Sequence, residues 1–268
     1  RDSRSSAYLP SLRKTVTFVS AEQARIQTIN TSEGSMYDAR NRDLAEKIIG
    51  YSTKATKGEN VLVEVFGING VHLAQEMARA AFARGAHPFI QMHDTDIVRI
   101  EREQGNSDYW ARRRDVGGMP TMQEMDVYIG LRASENIYEL GGVAPEADKA
   151  YMEEYFRPVH SRERVNNTRW CVMRYPSPAF AMNARMPTDK FADFYYKACL
   201  LDYAELNERM KPLHERLAKT KEVRLVGEGT DITLGIEGQT WIPCAGDVNI
   251  PDGEIFSAPI LDSVNGHI

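Results

Sequence analysis

The sequence predicts an α/β protein in which a doubly wound, mainly parallel sheet is followed by the start of a β-rich region. Three observations predict it. Short β-branched runs alternate with stretches of helical periodicity between residues 36 and 174. Those runs are continuously apolar, as strands covered on both faces are. After residue 220 the texture changes to short alternating segments separated by glycine, which suits antiparallel strands. Strands separated by helices imply right-handed crossovers and hence parallel neighbours.

The elements follow in order. Asp38 can cap a helix whose apolar positions Leu44, Ile48 and Ile49 recur at helical spacing. The run from Val61 to Phe66 reads as a buried strand closed by Gly67 and Gly70. A second helix spans about 71–84, with Leu73, Met77, Ala80 and Ala81 as its buried side and Gly85 as its stop. His87 to Met92 is the next strand, followed by a polar helical stretch over 94–114, a strand over 126–131, a helical pattern over 145–165 and a strand over 169–174. Pro176 and Pro178 then break the chain. Residues 189–219 are mostly helical, with a stripe of Phe191, Phe194, Tyr195, Leu201 and Leu206 that reads as a bridge between domains.

The organisation expected is therefore threefold. Residues 1–35, rich in Ser, Thr, Arg and Gln, look like an appendage: a tag remnant, a misassigned start or a disordered arm. Residues 36–219 form the α/β domain with its helical bridge. Residues 220–268 begin a second domain, with strands near 223–226, 230–236 and 240–243, too few residues to bury a comfortable core alone. The last strand signals, near 254–259 and 264–268, have no following partner, which points to an incomplete domain.

Composition narrows the function. A net charge of −5 over 268 residues argues against nucleic acid or an anionic membrane as partner, because such surfaces need clustered cations. The compact basic cluster Arg112, Arg113, Arg114 is flanked by Asp108 and Asp115 and reads as a solvated helix face. Cys171, Cys199 and Cys244 are too far apart for a Cys-x-x-Cys metal site and odd in number, so a reducing, cytoplasmic setting is expected. No apolar stretch approaches the roughly 20 residues that span a bilayer.

Several motifs can carry chemistry. Gly67-Ile-Asn-Gly70 lies between a strand and a helix and could hold a phosphate, but it lacks the third glycine of a dinucleotide fingerprint and reads as a plain turn. His72, His87 and His93 flank one βα unit, at spacings that match no metal helix or zinc knuckle. Cys171 sits inside a strand, where a thiol is a small buried hydrophobe. No Gly-x-Ser-x-Gly elbow occurs. The informative segment is Asn249 to Pro259, in which Pro251-Asp-Gly253 makes a turn and delivers Glu254 at the start of a strand. A carboxylate so fixed suits a hard-oxygen metal ligand or a general base, and equally a turn with a solvated glutamate.

That segment resembles the metal-binding motif of the thermophilic metalloaminopeptidases, the aminopeptidase T and aminopeptidase S type of two-metal exopeptidase. Met36-Tyr-Asp-Ala-Arg40 resembles the family's start, and Leu131-Arg-Ala-Ser-Glu-Asn136 its mid-domain strand end. Thr168-Arg-Trp-Cys-Val-Met-Arg-Tyr-Pro-Ser-Pro-Ala179 is similar to its Arg-Trp and proline-rich signature. Gly227-Glu-Gly-Thr-Asp231 and Ala258-Pro-Ile-Leu-Asp-Ser-Val-Asn-Gly266 continue the resemblance, which covers nearly all of residues 36–268.

The resemblance implies an N-terminal α/β domain, a C-terminal catalytic domain and usually a homodimer. It implies peptide substrates shortened from the N-terminus with paired divalent cations, Zn, Co or Mn. Glu254 is then the first metal ligand. A second Glu, two His, an Asp and a Tyr would follow beyond Ile268, and His267 matches a turn of the family and no ligand position. One glutamate cannot hold a cation pair, so a truncated chain inactive alone is expected. Two readings compete: a non-catalytic α/β binding module derived from the family, and a nucleotide-binding oxidoreductase on the first domain, which NAD would stabilise against heat.

Overall fold

The parallel sheet is built on two central strands, Asn60–Phe66 and Val127–Arg132, whose residues are buried almost throughout. The computed structural model describes residues 38–268; the expected extension over 1–35, with Met36 and Tyr37, lies outside the described residues. Helix α1, Arg40–Lys47, begins one residue later than expected, with Ala39 at the N-cap position and no side-chain cap there; Asp38 lies just before it and accepts from the backbone N–H of Arg40 at 2.9 Å. A π-helical turn, Ile48–Ser52, ends it. Strand β1, Asn60–Phe66, leads through a 3₁₀ turn at Ile68–Gly70 into α2, Val71–Ala83, and β2, His87–His93.

Helices α3, Thr95–Gln104, and α4, Ser107–Arg113, are capped by the side chains of Asp94 and Asn106. A π-helical segment, Arg114–Gly118, and α5, Met119–Gln123, lead to β3, Val127–Arg132. Helix α6, Pro145–Tyr151, runs directly into a π-helical stretch over Met152–Arg164 and a last turn, α7, Val165–Asn167. Strand β4, Arg169–Arg174, follows. Then come α8, Pro178–Asn183; α9, Thr188–Cys199; and α10, Tyr203–Leu217.

The remaining strands are short: β5, Glu222–Gly227; β6, Thr230–Gly235; β7, Ile242–Cys244; β8, Asn249–Ile250; β9, Glu254–Phe256; and β10, Asn265–His267. Five strands form one sheet in the order β2-β1-β3-β4-β8, and every neighbouring pair is parallel. The sheet is covered on both faces, as predicted. Val61, Val63, Val65, Ile129, Leu131 and Cys171 pack against α1, α2 and α9, while Leu62 and Tyr128 pack against Met122 and Val159 on the other side. Residues alternate between faces along each strand, so both layers are apolar and the strands read as continuous hydrophobic runs.

Three readings change. The stripe assigned to a bridge holds in part: Tyr195 is buried in the main core and Phe191 and Leu206 pack against it, Tyr196, Cys199 and Tyr203 join it, and Phe194 and Leu201 face solvent. The tyrosines fit because their hydroxyls find partners, Tyr195 donating to the Arg174 carbonyl and Tyr196 to the Asn41 side chain, each at 2.7 Å. The basic cluster is not simply solvated, since Arg113 pairs with Glu101 and Arg114 with Asp115 and Glu154. Lastly, the strands near the C-terminus take earlier partners: β9 pairs with β7, and β10 with β6. Unpaired strand signals therefore no longer argue for an incomplete domain. Among the described residues no helix is long and apolar enough to cross a membrane.

Candidate metal centre

Glu254 opens β9, directly opposite Cys244 in the antiparallel pair with β7. The chain between them leaves that ribbon, joins the parallel sheet through β8, and returns through the predicted Pro251-Asp-Gly253 turn, entered by a cis peptide at Ile250–Pro251. Gly253 adopts φ of 136°, a region open to glycine, so the turn can reverse tightly enough to bring Asp252 beside Glu254. Asp252 is held by its own backbone surroundings, accepting from the N–H of Gly246 at 2.9 Å and of Gly253 at 3.0 Å.

Side chains of the first region anchor the same loop. Tyr51 donates to the Ala245 carbonyl at 3.0 Å, Ser52 to the Gly246 carbonyl at 2.5 Å, and the Asp252 N–H donates to the Tyr203 hydroxyl at 3.2 Å. A β-carbon on Gly246 would lie 2.7 Å from the Tyr203 ring, so only glycine lets the loop lie flat on it. The outcome is a group of three potential ligand atoms, from Cys244, Asp252 and Glu254, all within 4.8 Å of one another.

The electrostatics of this group are those of uncompensated negative charge. Burial pushes the Cys244 thiol up, and the carboxylates of Asp252, Glu254 and Asp247 push it further. Asp252 is likewise raised by burial and by Asp247 and Glu254, against the lowering effect of its two backbone hydrogen bonds. A cation placed among these donors would oppose the carboxylates' repulsion and favour the ionised forms that bind it. Two hard oxygens with one thiol suit a divalent ion such as Zn. The residues fit one cation with three protein donors; they do not supply a pair.

Glu254 was legible from its turn, whereas its two companions were not singled out. Asp252 is visible in the sequence only as a turn residue, and Cys244 only as an isolated cysteine. The signal that joins them is the β7–β9 register, which no local spacing encodes. Other candidates lie elsewhere. His87 and His93 occupy opposite ends of β2, so the strand itself keeps them apart; His93 stacks on Phe66 and lies 3.3 Å from the Glu64 carboxylate. His267 is exposed in β10, outside the three-donor group. Cys171 is fully buried, its thiol pushed up to about 12 by burial, the inert state expected of a core cysteine. Gly67 to Gly70 forms the strand-to-helix turn read from the sequence.

Comparison with known proteins gives the family. No curated protein matches. Among solved structures, wild-type AmpT from Thermus thermophilus superposes with a TM-score of 0.66 at 20% identity, covering 85% of this chain and 63% of that one. The 2,5-dihydroxypyridine dioxygenase of Pseudomonas putida KT2440 gives 0.47 at 11% identity, over 84% of this chain and 57% of that one. The first likeness shows the α/β fold, and the chain spans less than two thirds of the length of either protein. The family model of the thermophilic metalloproteases (M29) matches residues 37–268, so the parallel sheet, the turn that presents Glu254 and the antiparallel strands around it lie in a chain that belongs to that family.

Proposed function

We propose that this chain is part of a metal-dependent aminopeptidase that removes N-terminal residues from peptides, with Glu254 as a metal ligand. The observation that carries the reading is the group of Cys244, Asp252 and Glu254 in a chain of the thermophilic metalloprotease family. Glu254 would hold the ion directly, Asp252 would add a carboxylate oxygen or orient the turn, and Cys244 would close the third side. When bound, divalent ions of this kind polarise a scissile carbonyl and lower the pKa of a bound water.

The fuller reading extends the resemblance. It includes two cations of Zn, Co or Mn per active site, a second Glu, two His, an Asp and a Tyr supplied by a continuation beyond residue 268, and a cytoplasmic homodimer. The division into domains at residue 220 belongs to the same proposal, supported by the antiparallel pairing of β5 with β6, β6 with β10 and β7 with β9; β8 alone of the later strands joins the parallel sheet. A second reading, a non-catalytic α/β binding module, is favoured by one observation: the three donors among the described residues are too few for a cation pair.

Titration of the 268-residue chain with Zn, Co and Mn decides between them. We expect weak binding, with Kd no tighter than about 1 µM, weakened at least about tenfold by Glu254→Gln, and no efficient cleavage of an aminoacyl p-nitroanilide. Metal affinity indifferent to Glu254→Gln would remove Glu254 as a ligand. Efficient cleavage by the wild-type chain, abolished in Glu254→Gln, would keep the ligand and overturn the expected inactivity.

A further inference from the structure

The sheet order β2-β1-β3-β4-β8 reverses direction at β1, since the chain steps outward to β2 and then back across to β3. In open parallel sheets such a reversal leaves a crevice outside the C-terminal strand ends, where neighbouring connections part to opposite faces. A cavity of about 570 Å³ lies there, within the usual range for small-molecule sites. The last residues of four strands line it: Phe66, His93, Arg132 and Arg174.

Two of the cavity's four arginines stand outside its ion pairs. Of its carboxylates, Glu64 accepts from the Tyr128 hydroxyl at 2.8 Å with His93 beside it, Glu101 pairs with Arg113, Glu139 with Arg99, and Asp148 with Arg102. Arg132 and Arg174 have no carboxylate partner among the described residues. They are also register partners on adjacent parallel strands, so their side chains leave the same face at the same level. Their backbones are fixed, because the Arg132 carbonyl accepts from the Tyr175 N–H at 2.8 Å and the Arg174 carbonyl from Tyr195 at 2.7 Å. Two arginines on paired strand ends, neither matched to a carboxylate, suit a ligand carboxylate or phosphate.

Much of the remaining lining is aromatic. Trp110 stands edge-on to Tyr151 at 4.8 Å between ring centroids, and Tyr155 stacks on Tyr151 at 5.8 Å. Tyr155 and Phe156 come from the π-helical stretch over 152–164. Its wider turn brings Met152, Phe156 and His160, four residues apart, to the cavity. The Arg102 guanidinium caps one face of Tyr151 at 3.2 Å, and the remaining aromatic lining takes the apolar body of a ligand whose charged end meets the arginines.

We propose that this cavity binds a small organic anion, an aromatic carboxylate or phosphate, with its acid group on Arg132 and Arg174 and its ring against Trp110, Tyr151 and Tyr155. The site shares no residue with Cys244, Asp252 and Glu254, and the proposal does not depend on the aminopeptidase reading.

Calorimetric titration of the full chain with 3-phenylpropionate, phenyl phosphate and the neutral 3-phenyl-1-propanol tests it. At least one anion should bind with Kd of about 1 mM or tighter, and the alcohol at least about tenfold more weakly. Whichever anion binds better identifies the acid group. Arg132→Gln and Arg174→Gln should each weaken the anion at least about tenfold, and Glu254→Gln should leave it unchanged. Equal binding of alcohol and anions, no heat from any of the three, or unaltered affinity in folded arginine variants would overturn the proposal. The comparison of alcohol with anions needs no variant and stands even if an arginine substitution disturbs folding.

Discussion

The parallel sheet and the antiparallel strands after residue 220 use similar apolar residues and bury them very differently. Val61, Val63, Val65, Ile129 and Leu131 are sealed from solvent, whereas Leu225 and Val226 of β5 are 52% and 70% exposed. No residue of β5, β6 or β10 is fully buried. Layering explains the difference, because helices cover both faces at β1 and β3, while the edge strand β2 and the antiparallel strands stand half open. Strand-forming sequence thus settles that a strand forms, and its layer settles how much stability it contributes.

The largest test of this contrast is a pair of leucine truncations. Leu131→Ala removes a fully buried side chain from the sheet's core and should cost about 2–5 kcal/mol in urea denaturation. Leu225→Ala should stay within about 0.5 kcal/mol. Amide exchange should agree, with β1 and β3 opening only on global unfolding and β5 and β10 exchanging earlier. Comparable losses for the two leucines would mean that something covers the antiparallel strands in solution, and the contrast would dissolve.

How much was legible follows from the same difference. All four long parallel strands were readable to within a residue or so: β1 and β3 because burial on both faces writes itself as an apolar run, β2 and β4 from short apolar stretches set between helical patterns. The two-residue strand β8 was not, since Asn249–Ile250 carries no period and owes its place to the neighbouring turn. Glu254 could be found from Pro251-Asp-Gly253, a local signal, but Cys244 and Asp252 join it through a ribbon register and a loop anchored by Tyr51, Ser52 and Tyr203. The stripe over 191–206 caught Phe191, Tyr195 and Leu206 but not Tyr196 and Tyr203, because tyrosine reads as amphipathic. Only the structure shows that Arg174 and Asn41 offer their hydroxyls buried partners. The arginine pair was invisible for another reason, since Arg132 and Arg174 are 42 positions apart and meet only in register.

A second, smaller effect probes the turn that ends β1. Gly67 has φ of 100° and ψ of 147°, a conformation that side chains resist. An added β-carbon would sit 2.3 Å from the Ala133 carbonyl oxygen and 2.7 Å from the Ser134 α-carbon, both backbone. Neither can swing aside as a side chain could. Gly67→Ala should therefore cost about 3 kcal/mol. Gly229→Ala, in the turn between β5 and β6, also carries a positive φ but meets nothing within 4 Å, and should cost about 1 kcal/mol. Equal costs would show that backbone conformation alone, without the packed layer, sets the penalty.

The smallest effect expected is a pH dependence that again separates interior from surface. Burial alone would raise the Glu64 carboxyl, but hydrogen bonds from His93 and Tyr128 and the charge of His160 outweigh it and hold it below its ordinary 4.5. Because the folded value is the lower one, the unfolded chain takes up the proton first as pH falls. The stabilisation from Glu64 is thus complete above about pH 4.5 and is lost as pH drops through the folded value. Asp231, held low by Arg224 across β5 and β6, acts with the same sign, yet that pair lies open to solvent. Raising the salt concentration should erase the contribution of Asp231 and leave that of Glu64. Glu64→Gln should lower stability at neutral pH by about 1–2 kcal/mol and flatten the acid limb of the stability curve between pH 5 and 3. An acid limb equally steep in Glu64→Gln would place the titrating groups on the surface and away from the parallel sheet.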